Sequence, residues 1–221
     1  MSVGPDAPLA VLEPYLRQRL HPVHDHHAAH RHPRSDHDLN PHDRPDPLRR
    51  LKPAAVLVAL VQRREGLNVL LTRRADALRR HSGQVAFPGG REEPGETPLE
   101  TAIREANEEI GLSPHFVRPI GLGDRYLTGS GYAVTPVVAF IEPGFHLRAD
   151  PGEVAEIFET PFSFLMNPDN HERRVWAQPG LPDRHYYAMP HDGHMIWGVT
   201  AGMLRTLYER MFGDAEPNPS R

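Results

Sequence analysis

The sequence contains no cysteine. That excludes disulfides, thiolate metal sites and cysteine nucleophiles, and is compatible with a reducing compartment. No run of 18 apolar residues occurs, and the N-terminus lacks a basic stretch followed by an apolar one, so neither a membrane span nor a secretory signal is expected. A surplus of positive charge is missing as well. Lys and Arg number 25 against 29 Asp and Glu, a net charge of −4 with a pI near 6.4, whereas affinity for a phosphate backbone needs a basic surface. The expectation is no nucleic-acid partner, no membrane partner and a cytoplasmic location.

What is present suffices for one respectable core: 221 residues, 38% of them hydrophobic, suggest one catalytic domain with a tail. The divisions expected are an N-terminal segment at 1–47, a catalytic domain at 48–213 and a flexible tail at 214–221. Residues 7–20, APLAVLEPYLRQRL, carry leucines at roughly helical spacing, and Pro14 predicts a short, broken amphipathic segment. From His21 to Pro47 the sequence holds eight histidines and five prolines and almost nothing apolar, which reads as a flexible tract without a core of its own. Clustered histidines can hold transition metals, but no regular ligand spacing emerges. Deleting residues 1–46 is expected to leave the activity intact.

Ala54 to Val61 is a continuous apolar run and predicts a buried strand, with Asn68 to Thr72 as its hairpin partner and a short strand at Gln84 to Phe87. Val117 to Leu122 and Ala133 to Ile141 follow, the second confined to an edge or bulge by Pro136. Ile157 to Glu159 reads as strand and Pro161 to Met166 as a helical turn. A strand pair is expected at Arg173 to Ala177 and His185 to Met189, and a final helix at Gly198 to Phe212. Strands and helices in this order imply an α/β sandwich with a mixed sheet.

The stretch Gly90 to Leu112, GREEPGETPLETAIREANEEIGL, carries the strongest local signals. Thr97-Pro98-Leu99-Glu100 has the form of a capping box, with proline suited to the first helical position. Leu99, Ala102, Ile103, Ala106 and Ile110 recur at helical spacing, and Gly111 sits where a left-handed cap is wanted. A helix over about 98–110 follows. At about 100° per residue, Glu105, Glu108 and Glu109 share a polar face turned away from that stripe. Like charges at this spacing repel by roughly 0.2–0.5 kcal/mol per pair, and acids near a helix C-terminus oppose its dipole. The patch is either a solvated acidic face or a seat for a hard cation such as Mg2+ or Mn2+. Gly89 and Gly90 can bring backbone close to such an ion or to a phosphate.

Gly90, Glu96, Arg104, Glu105, Glu108, Glu109 and Gly111, at these spacings, resemble the Nudix box, with all seven specified positions present. Ala106 departs softly, since the family more often has Ile, Leu or Val there. The resemblance implies an α/β/α sandwich with a mixed central sheet and cleavage of a diphosphate linking a nucleoside to another moiety, with Mg2+ or Mn2+ as cofactor. It makes Glu105 and Glu109 the principal metal ligands, Glu108 a helper, the Gly89-Gly90 backbone a further source of oxygen, and Arg104, paired with Glu96, the group that orients the glutamates. Without the resemblance, Arg104 is simply an i,i+4 partner of Glu108. Some members use a glutamate outside the box as base; Glu153 and Glu156 are the candidates here.

Upstream, Leu70-Leu71-Thr72, Arg74-Ala75, Arg79, Gly83 and Phe87-Pro88-Gly89-Gly90 resemble the signature found before the box in coenzyme A pyrophosphatases. This implies hydrolysis of coenzyme A and its thioesters, with Arg74, Arg79, Gly83 and Phe87 toward the substrate and Arg80 as a further cationic candidate. Two alternatives stand beside it: hydrolysis of another nucleoside diphosphate derivative such as ADP-ribose or a dinucleotide, and a non-catalytic nucleotide-binding sensor. The partner expected is a small nucleotide, with a homodimer left open.

Overall fold

The computed structural model describes residues 3–41, 50–76, 83–177, 180 and 182–213. The expected flexible tail at 214–221 and the candidate residues Arg79 and Arg80 lie outside them. The strands organise around β2 (Lys52–Arg63), the long apolar run expected from the sequence. Parallel to it, in register from Lys52↔Tyr132 to Val61↔Ile141, lies β8 (Tyr132–Ile141). On its other side β2 pairs antiparallel with β3 (Gly66–Arg74) through the Gly66 hairpin and, one stretch earlier, with β5 (Gly89–Arg91). The sheet also takes in β1 (Arg34–Ser35), β4 (Val85–Ala86), β6 (Val117–Leu122), β7 (Tyr126–Leu127) and β9 (Val154–Pro161). It is a mixed sheet, as expected.

Side-chain alternation along β2 sends its two faces into two cores. Ala55, Leu57, Ala59 and Val61 pack with Ala102, Ala106 and Ile110 of α3 (Pro98–Ile110). Ala54, Val58 and Leu60 share the other core with α1 (Leu9–Arg19), α4 (Phe162–Leu165) and α5 (Val199–Phe212). The result is an α/β/α sandwich. A second, three-stranded sheet, β10 (Glu172–Trp176), β11 (Arg184–His191) and β12 (His194–Trp197), packs with α5. No helix among the described residues is long and apolar enough to cross a membrane.

Helix α3 occupies the expected span. The Thr97 hydroxyl accepts from the Glu100 amide at 3.3 Å, and the Glu100 carboxylate accepts from the Thr97 amide at 2.8 Å. Gly111 ends it with φ of +67°, a left-handed cap that glycine adopts without strain.

Three expectations are corrected. Pro136 lies inside a strand flanked on both sides, not at an edge: its carbonyl accepts from Gly123 N at 2.9 Å, so its N–H-less nitrogen faces the break between β6 and β7, where no ladder donor is required. Pro14 does not break α1, which runs continuously from Leu9 to Arg19. It falls in the second turn, close enough to the helix start that only an early hydrogen bond is forgone.

The third correction concerns the N-terminal segment, whose described part, residues 3–41, packs on the domain. Leu12, Leu16 and Leu20 are buried in the core beside α5. His21 Nε2 lies 3.0 Å from Asp124 Oδ1, and Asp124 also takes the Arg210 guanidinium. Helix α2 (His26–His30) is capped by the Asp25 side chain, and β1 pairs in parallel with β7. Composition alone hid this, because the contacts are made by a few leucines and by polar groups whose partners come from distant parts of the chain.

Candidate active site

Strand β5 presses against β2 so closely that a Cβ at Gly89 would collide with Ala55 O and Val56 Cα, and its φ is +153°. Only glycine fits there. A Cβ on Gly90 would come within 2.5 Å of the Glu105 carboxyl, which therefore lies directly on the Gly90 backbone. One turn further along α3, Glu109 Oε2 accepts from the Gly89 amide at 3.0 Å. The helix stripe that buries Ala102, Ala106 and Ile110 thus aims Glu105 and Glu109 at the glycine pair.

Arg104 binds the neighbouring acids together. Nε and Nη2 donate to the two oxygens of Glu96 at 2.7 and 3.0 Å, Nη1 donates to Glu105 at 2.8 Å and to Glu108 at 3.1 Å, and Nη2 also reaches the Arg91 carbonyl at 3.1 Å. All five guanidinium donors are used. Arg104 holds the Glu96 carboxyl down to about 2, helped by the Glu93 amide. Glu109, only 4% exposed, is pushed the other way: burial, with Glu105 and Glu153 adding repulsion, raises its carboxyl to about 7 against the pull of the Gly89 amide and Arg74. Burial likewise raises Glu105.

The two candidate bases separate. Glu153, exposed on the turn before β9, is close enough for its charge to raise both Glu105 and Glu109. Glu156 pairs instead with His194 at 3.2 Å and Arg73 at 3.4 Å, which lower its carboxyl. Arg74 Nη1 stands 3.9 Å from Glu109 Oε1, and its buried Nε has no hydrogen-bond partner among the described residues. Gly83, with φ of +68°, donates to the Arg74 carbonyl and closes the loop behind it.

Donor chemistry favours a hard cation here. Glu105, Glu108 and Glu109 with the Gly89-Gly90 backbone offer only oxygen, the set that Mg2+ and Mn2+ take. The counter-charge to the buried Glu109 carboxylate is Arg74, whose Nη1 stands 3.9 Å away. Among the described residues, no three acidic or imidazole groups converge as a ready metal site; Arg104 holds oxygens of Glu105 and Glu108.

Beside Gly89 and Gly90 opens a pocket of about 530 Å³. Its floor is Ala54, Val56, Tyr132 and Val134, the sheet face opposite α3; Arg74 and Phe87 line one side, and Trp176, Arg184, Tyr186, Tyr187 and Trp197 of the small sheet line another. Asp36, Leu39 and Asn40 of the N-terminal segment and Tyr126 complete it. The sequence pattern marked Arg74, Phe87 and the glycines, but not the aromatic residues or residues 36–40, whose only signal is their position after folding.

Comparison with known proteins gives the family. The profile described as NUDIX domain matches residues 51–180. A protein from Photorhabdus laumondii described as uncharacterized Nudix hydrolase NudL is 36% identical over 172 residues, covering 76% of this chain and 91% of the relative. Another of the same description from Klebsiella pneumoniae is 37% identical over 195 residues, covering 78% and 95%. Among solved structures, a C. elegans Ap4A hydrolase binary complex matches at 20% identity and a TM-score of 0.43, covering 48% of this chain and 77% of that one. RenU, a Nudix hydrolase from M. smegmatis, matches at 26% and 0.43, covering 50% and 70%. On the profile match across more than half the chain and the extent of its relatives, this protein belongs to the Nudix hydrolase family.

Proposed function

We propose that the protein hydrolyses the diphosphate of coenzyme A and its thioesters to 3′,5′-ADP and 4′-phosphopantetheine or its acyl derivative. The observation that carries this reading is that Arg74, Phe87, Gly89 and Gly90, all from the coenzyme A pyrophosphatase signature, line one pocket. That pocket opens at the glycine pair against which Glu105 and Glu109 lie.

A diphosphate resists attack because its own negative charge repels nucleophiles. Glu105, Glu109 and the glycine backbone, with Glu108 assisting, would hold a divalent cation, which would supply charge neutralisation at the phosphate oxygens. Arg104 keeps the glutamates oriented through its bonds to Glu96, Glu105 and Glu108. Arg74, at the junction of pocket and carboxylates, is placed to meet a phosphate oxygen; a charge-assisted contact of that kind contributes on the order of 1.5–3 kcal/mol. Glu153 accepts the proton of the attacking water, whose oxygen bonds to phosphorus as the bridging P–O bond breaks and the bridging oxygen leaves with the other phosphate.

The test is kcat/KM with Mg2+ or Mn2+ for coenzyme A, 3′-dephospho-coenzyme A and ADP-ribose, with products identified by mass. Preference for coenzyme A over ADP-ribose is expected, and its absence would overturn the substrate assignment. Equal rates with the dephospho form would remove only a role for the 3′-phosphate.

A further inference from the structure

The pocket extends well past the glycine pair. In the sheet, Arg91 of β5 pairs with Ala54, Ala54 with Val134, Val134 with Tyr126 and Tyr126 with Arg34. Four inter-strand steps of roughly 4.8 Å each carry the sheet about 19 Å from β5 to β1. Just beyond β1 stand Asp36 and Leu39, and both line the pocket that also contains Gly89 and Gly90. Its far wall is therefore built by the histidine-rich segment.

This wall is fixed in place. Asn40, 2% exposed, donates to the Asp36 carbonyl at 2.9 Å and to the His185 carbonyl at 2.9 Å, and accepts from the His185 amide at 2.7 Å. One side chain thereby joins the segment to β11 of the small sheet. The Tyr126 hydroxyl donates to Asp36 Oδ1 at 2.8 Å, tying the same turn to β7. Leu39 is half-buried, lies in neither core among the described residues, and lines the pocket.

We infer that Asp36 and Leu39 form a specificity wall, positioned by Asn40, that contacts the part of the substrate farthest from the diphosphate. This rests on reading the site as one for diphosphates. The chemistry of the wall indicates what it takes. A carboxylate repels phosphate and accepts from N–H and O–H groups, and a neighbouring leucine favours hydrocarbon. The fitting ligand is a nucleoside diphosphate carrying a long, uncharged arm with amide or hydroxyl donors. A substrate with a compact second moiety at the diphosphate would end short of it.

The experiment uses the full chain and three variants: Leu39→Trp, which narrows the wall, Asp36→Asn, which removes its charge, and Asn40→Ala, which releases it. Steady-state kinetics with coenzyme A and ADP-ribose are compared, with thermal unfolding followed alongside. The loss in kcat/KM on coenzyme A is expected to exceed the loss on ADP-ribose by about tenfold for Leu39→Trp, the worth of roughly one or two lost contacts, and to appear in KM. Equal losses on both substrates, or no loss on either, would overturn the wall. Calorimetric binding of the same two ligands without added metal keeps this distinct from the hydrolytic assignment. If the wild type binds coenzyme A but cleaves neither compound, the hydrolytic reading fails, while the wall stands or falls on whether Leu39→Trp weakens coenzyme A binding selectively. If the wild type binds neither compound, the wall fails too.

Discussion

Arg104 grips Glu96 by both carboxylate oxygens, at 2.7 and 3.0 Å, eight residues apart in sequence. The same guanidinium reaches Glu105 and Glu108, so a residue on the turn before α3 fixes the arginine that orients the acids on α3. Glu96→Gln should lower kcat by on the order of 10- to 100-fold, the usual consequence of disturbing a group that orients ligands, with a smaller effect on the unfolding midpoint. Because the folded carboxyl lies at about 2 against an ordinary 4.5, its contribution to stability is complete above about 4.5 and is lost as pH falls through about 2. Acid titration of unfolding in wild type and Glu96→Gln measures this: the variant's stability should fall less steeply in that window.

Glu109→Gln should abolish most turnover while leaving the metal-free protein as stable as the wild type. The amide oxygen of glutamine can still accept from Gly89, and the substitution removes a buried charge that Glu105 and Glu153 repel. Glu105→Gln should cost a little stability, of order 0.5 kcal/mol, because the Arg104 pair is weakened while Arg104 keeps Glu96 and Glu108. Thermal unfolding without metal, together with kcat at saturating Mg2+ or Mn2+, checks both.

Removing residues 3–41 should unfold or severely destabilise the protein, contrary to what the composition of that segment suggests. The deletion takes away Leu12, Leu16 and Leu20, 1%, 0% and 3% exposed, and leaves Asp124 buried without His21. Leu12→Ala alone should cost about 2–5 kcal/mol, read as a lowered denaturation midpoint. A truncated protein with the wild-type midpoint would show that these contacts are dispensable.

His30 makes folding sensitive to mild acid. Burial, with Arg125 nearby, lowers its imidazole from 6.5 to about 4. Below about 6.5 the unfolded chain binds a proton that the folded protein does not, so stability falls as pH drops from 6.5 toward 4 and the loss levels off beneath that. Discounted for the partial exposure of the ring, the effect is on the order of 1 kcal/mol. His30→Gln should flatten the pH dependence of the unfolding midpoint between those values; an unchanged slope would exclude His30 as its source.

Helix α3 and its carboxylates were legible in the sequence because every interaction that defines them is local. Thr97 meets Glu100 three residues away, Gly111 caps the turn before it, and Glu105 and Glu109 share a face through helical geometry alone. The continuous apolar run of β2 was legible for the same reason, and with the order of the elements it implied an α/β sandwich with a mixed sheet. What required the tertiary structure was every partnership across long separations. Asn40 reaches His185 over 145 residues and His21 reaches Asp124 over 103. Pro136 is tolerated inside the sheet only because β6 ends and β7 begins opposite its nitrogen. Individual polar residues carry no periodicity that names a distant partner, so a segment rich in histidine and proline read as flexible although folding gives its leucines and its asparagine a place. Local motifs sufficed for the acidic helix and its resemblance to the Nudix box; the packing of β1, the small sheet and α5 around the central strands set the shape of the pocket and the residues at its far end, because those contacts join positions far apart in the chain.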